Sequence, residues 1–155
     1  MTSVEHAADS GSHRPGAEPA ASPVREGSKV VIIGGGPGGY EAATVAVRLG
    51  AKVTLVEAQG LGGAAVLTDV VPSKTLIATA QWLTQTEQAE ELGIGVGTGS
   101  PTADLMRINE RVRALASAQS RDIRAGLEAL GVSVVDGVGK IGASLLPDGT
   151  REVFV

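Results

Sequence analysis

The chain has 155 residues, enough for one domain of ordinary size to bury a core without disulfides or metal as props. Apolar residues make up 43% and charged ones 19%, a globular balance, while aromatics reach only 2% and glycines number 22, so the apolar mass is Val, Leu, Ile and Ala, the composition of a buried parallel sheet. The 13 basic and 17 acidic side chains leave a net charge of −4, which offers no attraction to nucleic acid or an anionic membrane, and the absence of cysteine excludes a disulfide, a thiolate nucleophile and a cysteine-ligated metal.

Residues 1–28 are rich in Ala, Ser, Gly, Pro and Glu without apolar periodicity, and burial in such a segment cannot offset its ordering entropy. They are expected to form a disordered N-terminal extension, followed by a domain over 29–155. A cleaved transit peptide is the weaker alternative, because Glu5, Asp9, Glu18 and Glu26 are acidic. Both histidines, His6 and His13, fall in this leader, so the folded part has no catalytic histidine and no histidine-based metal site. No basic segment precedes an apolar stretch, and no apolar run approaches the roughly 20 residues that cross a bilayer; a cytoplasmic protein without an integral membrane segment is expected.

Order begins with Lys29 to Ile33 (KVVII), a β-branched run of strand length, followed at once by the glycine cluster 34–39. Residues 40–49 read as a helix closed by Gly50, and Lys52 to Val56 as a second strand, together a βαβ unit. Segment 73–92 carries Leu76, Ile77, Ala80, Leu83 and Ala89 mostly at helical spacing. Pro101 to Leu130 forms a longer helix with a stripe through Leu105, Ile108, Val112, Leu115, Ile123, Leu127 and Leu130. Arg107, Arg111, Arg113, Arg121 and Arg124 lie mainly off the stripe and read as a solvated face rather than an anion site. Short strands are predicted at Val132 to Val135 and Val138 to Ala143, with Pro147-Asp148-Gly149 turning into Arg151 to Val155. The class is therefore α/β: a Rossmann-like fold with a parallel sheet, inserted long helices and a C-terminal β-hairpin or meander. Because the chain stops on VFV, inside a strand, it is expected to be truncated.

GGGPGG at 34–39 contains GxGxxG as Gly34, Gly36 and Gly39, directly after a strand and opening a helix. The first glycine permits a tight turn, the second lets backbone approach a pyrophosphate, and the third allows the helix to pack closely on the strand. Pro37 and Gly38 complete the turn, and helix N-terminal N–H groups would face a diphosphate. Glu57 follows the second strand, roughly 20 residues after the glycines, where an acidic side chain accepts hydrogen bonds from a ribose. These features predict a dinucleotide site and do not separate FAD from NAD.

Residues 62–74 read GGAAVLTDVVPSK. Together with the glycine cluster and Glu57, this segment resembles the pyridine nucleotide-disulfide oxidoreductases, the family of lipoamide dehydrogenase, glutathione reductase and mercuric reductase, whose FAD domain continues with GGTCxNxGCxPSK. The resemblance implies FAD as cofactor, with 29–155 as the N-terminal part of the FAD domain. It implies that Gly62, Gly63 and Ala64 lie near the FAD pyrophosphate, that Pro72-Ser73 opens the helix beneath the flavin, and that Lys74 stands close to the isoalloxazine. Gly139, in GVGKI, resembles the position whose backbone touches the adenine.

The two family cysteines fall on Ala65 and Val70, so no residue here is expected to perform catalytic thiol chemistry, and reduction of lipoamide or glutathione is not expected. The wording GLGGAAVLTDVVPSKTLI is similar to a disulfide-less actinobacterial branch of lipoamide-dehydrogenase-like proteins that act as NAD(P)H:quinone reductases. That resemblance implies NAD(P)H as electron donor, a quinone or similar small acceptor, and a homodimeric full-length protein whose nicotinamide domain and dimer surface follow the residues present. A dihydrolipoyl dehydrogenase-like relative and a non-catalytic flavin-binding fragment stay open as alternatives.

Overall fold

The computed structural model describes residues 26–95, 97 and 101–155. Most of the predicted extension, and both histidines, lie outside the described residues. Gly27 N–H donates to Gly50 O (2.9 Å) and Lys52 N–H to Ser28 O (2.8 Å), so the approach to the first strand is already tied to the second.

The βαβ unit forms as its residue types dictate. Strand β1 (Lys29–Ile33) leads to helix α1 (Pro37–Arg48), and strand β2 (Lys52–Glu57) returns parallel to β1, pairing Lys29 with Lys52 through to Ile33 with Val56. Helix α1 begins three residues earlier than the periodicity predicts, because Pro37 occupies its first turn, where a missing N–H costs nothing. It presents Ala43 and Ala46 to the sheet, and both are buried.

The chain then leaves the sheet for a helical excursion. Short helix α2 (Gly63–Leu67) is followed by α3 (Val70–Gln88), a 3-10 turn at Ala89–Leu92, and α4 (Leu105–Ala129), which is capped by Asp104 accepting from the N–H groups of Met106 and Arg107. Strand β3 (Ser133–Asp136) closes the excursion parallel to β2, pairing Thr54 with Ser133 through to Glu57 with Asp136. The sheet order is β1-β2-β3, and a separate antiparallel hairpin of β4 (Lys140–Leu145) and β5 (Arg151–Phe154) follows.

Strand β2 is central, with Val53, Leu55 and Val56 buried; around it the core gathers Ala43, Ala46, Ala51, Leu61, Leu127 and Val132. Helix α4 reaches this core only through its C-terminal half, where Ile123 and Leu127 contribute. Helix α3 contains no buried residue, and Leu76 and Ile77, whose helical spacing the sequence shows, are largely exposed. Among the described residues no helix is both long and apolar enough to cross a membrane.

Two substitutions separate tight packing from surface decoration. A Cβ on Gly39 would collide with the carbonyl of Gly34, and backbone cannot swing aside, so Gly39→Ala is expected to cost about 3 kcal/mol in denaturant-midpoint measurements. Arg124 pairs with Glu128 and Asp136 on the surface, linking α4 to β3. Arg124→Ala is expected to cost less than about 1 kcal/mol in the same assay.

Candidate functional site

The C-terminal ends of all three parallel strands open on one side, where crevices of α/β sheets receive their ligands. After β1 the chain must reverse into α1 within three residues. Gly34 makes this possible with φ +100°, a region that side-chain-bearing residues rarely enter, and its N–H donates to Val56 O at 2.8 Å. Gly36 caps α1 without a side-chain hydrogen bond, and a Cβ at Gly36 or Gly38 would meet nothing within 4 Å, so both face open space. Pro37 is exposed on the first turn of α1, which carries no acidic residue, leaving the positive end of the helix dipole unneutralised.

Glu57 organises this loop. Its Oε2 accepts from Gly35 N–H at 2.6 Å, and its Oε1 accepts from Gln59 N–H at 2.7 Å and Gly60 N–H at 3.3 Å. Partial burial pushes the carboxyl up, but the backbone N–H groups of Gln59, Gly35 and Gly60 favour the anion more strongly, and the net result lies below the ordinary glutamate range. A carboxylate offers about four acceptor sites, so one remains on Oε2 for a further donor.

The second glycine segment lies against the first. Gly62, with φ +93°, caps α2 and donates its N–H to Gly35 O at 2.8 Å, and a Cβ on Gly63 would come within 3.0 Å of Gly36 Cα. Ala64 is exposed on α2 and its carbonyl accepts from Thr68 and Asp69. Gly139 belongs to the same end of the sheet: a Cβ there would press on Ile33 at 3.0 Å, and nearby Gly137 N–H donates to Glu57 O at 2.9 Å. Gly34, Gly36, Gly38, Gly39, Glu57, Gly62, Gly63 and Gly139 are thus gathered at the C-terminal end of the sheet from four separate stretches of chain.

Lys74 is exposed on α3 and lines a groove shared with α4. The helix also opens earlier than expected, at Val70 rather than at Pro72-Ser73; Pro72 fits within its first turn because those N–H groups have no helical partner, and Ser73 Oγ donates to Asp69 O at 2.7 Å. Ala65 lies on α2 and Val70 on the first turn of α3, so neither position carries a redox-active group. A cavity of about 660 Å³ elsewhere between α3 and α4 is lined mainly by apolar residues such as Leu76, Leu83 and Ile108. Its Asp104 is already engaged as the α4 cap.

Sequence reasoning missed Gly35. It occupies a variable position of GxGxxG, yet it is buried, a Cβ there would collide with Leu61, and both its N–H and its carbonyl bind functional-loop partners. The run of three glycines was the available signal.

Comparison with known proteins agrees with this geometry. The profile of the family described as pyridine nucleotide-disulphide oxidoreductase matches residues 28–142. A Mycobacterium tuberculosis protein named NAD(P)H dehydrogenase (quinone) is 44% identical over 117 residues, covering 74% of this chain and 24% of that protein. Dihydrolipoyl dehydrogenase 2 of Haloarcula marismortui is 32% identical over 130 residues, covering 84% of this chain and 26% of its own length. Among solved structures, LpdA of M. tuberculosis superposes with a TM-score of 0.68 at 38% identity, over 82% of this chain and 29% of that one. The flavoprotein disulfide reductase RclA of Escherichia coli shares the fold at TM-score 0.56 and 22% identity, over 73% of this chain and 22% of its own. The chain therefore spans about a quarter of the length of its curated relatives. The profile match over most of the chain, on a sheet whose strand ends gather the expected glycines, places this chain in the pyridine nucleotide-disulphide oxidoreductase family.

Proposed function

We propose that residues 29–155 form the N-terminal part of an FAD-binding domain, in an oxidoreductase that passes electrons from NAD(P)H through FAD to a quinone without a redox disulfide. The observation that carries the reading is the contact of the two glycine segments, fastened by Gly62 N–H to Gly35 O beside the open face of Gly36. That face and the uncapped start of α1 fit a diphosphate, which needs close backbone approach and a positive helix end.

In this reading Gly34, Gly36, Pro37, Gly38 and Gly39 cradle the diphosphate with help from Gly62, Gly63 and Ala64. The remaining acceptor site on Glu57 takes a ribose hydroxyl, Gly139 borders the adenine, and Lys74 stands towards the isoalloxazine. Bound FAD would supply two-electron transfer chemistry. With Ala65 and Val70 in place of a cysteine pair, electrons would leave for an acceptor that reaches the cofactor directly, in accord with the similarity to the mycobacterial quinone dehydrogenase.

Titrating the 155-residue chain with FAD and following flavin fluorescence tests the cofactor assignment. Saturable binding is expected, and Gly36→Val should weaken it at least tenfold while leaving the far-ultraviolet spectrum intact, because Gly36 has φ −67° and open space around it. Equal binding by the variant would overturn the proposed cradle. The acceptor is tested by reducing the FAD-loaded chain anaerobically with one equivalent of dithionite and then adding a naphthoquinone or lipoamide. Reoxidation by the quinone alone is expected, and reoxidation by lipoamide alone would sink the quinone reading.

Glu57→Gln is expected to weaken FAD binding roughly tenfold through the loss of a charge-assisted hydrogen bond. In the ligand-free chain it also tests the carboxylate's structural role. Since the folded carboxyl sits below the ordinary value of 4.5, its stabilising effect should be fully present above that pH and fade as pH falls through the lower folded value. Thermal unfolding of both proteins from pH 7 to pH 3 should therefore show a gap that closes on the acidic side.

A further inference from the structure

A groove of about 320 Å³ runs between α3 and α4, lined by Lys74, Thr75, Ala78, Thr79, Trp82, Arg111 and Leu115. Two cations from separate helices share its wall, and no carboxylate lines it. Among the described residues the ion pairs all involve Arg124, so neither Lys74 nor Arg111 is neutralised by one. The hydroxyls of Thr75 and Thr79 donate to Val71 O (2.8 Å) and Thr75 O (2.9 Å), which commits their protons to the helix backbone. The free donors for a ligand oxygen in the groove are therefore Lys74, Arg111 and the indole N–H of Trp82, and of these only Lys74 and Arg111 carry charge. Trp82 is 71% exposed, far more than an indole of a packed helix pair normally is, and offers a flat apolar wall beside the two charges.

From this juxtaposition we infer that the Lys74–Arg111–Trp82 groove binds a planar aromatic ligand carrying an anionic or strongly polarised oxygen, with the ring against Trp82 and the oxygen held by the two cations. Guanidinium and ammonium groups bind such oxygens through charge-assisted hydrogen bonds, and an aromatic wall selects flat rings. The assignment deepens the quinone reading and rests on it for the ligand's role as acceptor: an acidic quinone combines both required features. It also gives Arg111 a purpose beyond that of a solvated helix charge.

Trp82 is the chain's only tryptophan, so its emission reports the groove without flavin or nicotinamide. The test titrates the FAD-free chain with anthraquinone-2-sulfonate, corrected for inner-filter absorption. Saturable quenching is expected, about tenfold weaker in Lys74→Gln and in Arg111→Gln, and within about threefold of wild type in Arg111→Lys. Raising the salt concentration should weaken binding to the wild type more than to either Gln variant. Quenching that does not saturate overturns the assignment. So does saturable quenching of equal affinity in both Gln variants, which would place the ligand in the apolar cavities that also border Trp82. Because the readout needs neither FAD nor electron transfer, a failed groove and a failed quinone-reductase reading give different results.

Discussion

The glycine loop after β1 depends on one carboxylate. Glu57 collects backbone N–H groups from Gly35 in that loop and from Gln59 and Gly60 in its own, while its carbonyl receives Gly137 from beyond β3. The Gly35 and Gly60 N–H groups would otherwise be partly buried donors without a fixed partner, and leaving such groups unmet costs more than forming the bond gains. A single side chain at the end of the central strand thus sets the shape of the crevice on which the proposed cofactor site is built. Gly35 then extends the same frame to the second glycine segment through Gly62.

The molecule divides into a dense half and an open half. Around β2 the packing is close, with Leu55, Val56 and Leu61 almost wholly sequestered and alanines letting α1 settle onto the sheet. Helix α3 and the first turn of α4, with Leu105 and Met106, instead keep their apolar side chains largely in solvent, and α4 has buried residues only from Val112 onward. The tight half provides a rigid backbone frame suited to a diphosphate. The loose half provides grooves, charges and the indole, features suited to a smaller ligand that enters and leaves.

The fold was legible in the sequence wherever a residue type has only one comfortable use. KVVII and KVTLV read as strands, the second buried at the sheet's centre and the first at its edge with Val31 and Ile33 partly exposed, GGGPGG after a strand read as a tight turn into a helix, and the acid after KVTLV pointed to the strand ends. Legibility failed where context decided. Helix α2 was not foreseen, because its few residues carry no periodicity and it forms only when Gly62 turns the chain. The helical spacing of the apolar residues on α3 was legible, yet periodicity cannot tell a core from an uncovered surface. Arg111 was indistinguishable in sequence from the other arginines of α4. Only the packing of α3 alongside sets it apart, by bringing Lys74 and Trp82 to the same wall.

The long excursion between β2 and β3 has a kinetic meaning. The entropic cost of closing a loop grows only slowly with its length, so inserting three helices there burdens the folded state little. Pairing across so large a sequence separation is nevertheless slow, and during synthesis β1, α1 and β2 emerge well before β3. The first glycine loop can therefore take shape early, while Gly137 and Gly139 reach it only when the last parallel strand docks. A dinucleotide spanning both regions would act as a latch on that late strand, shifting the balance from a half-assembled chain to the finished domain by mass action.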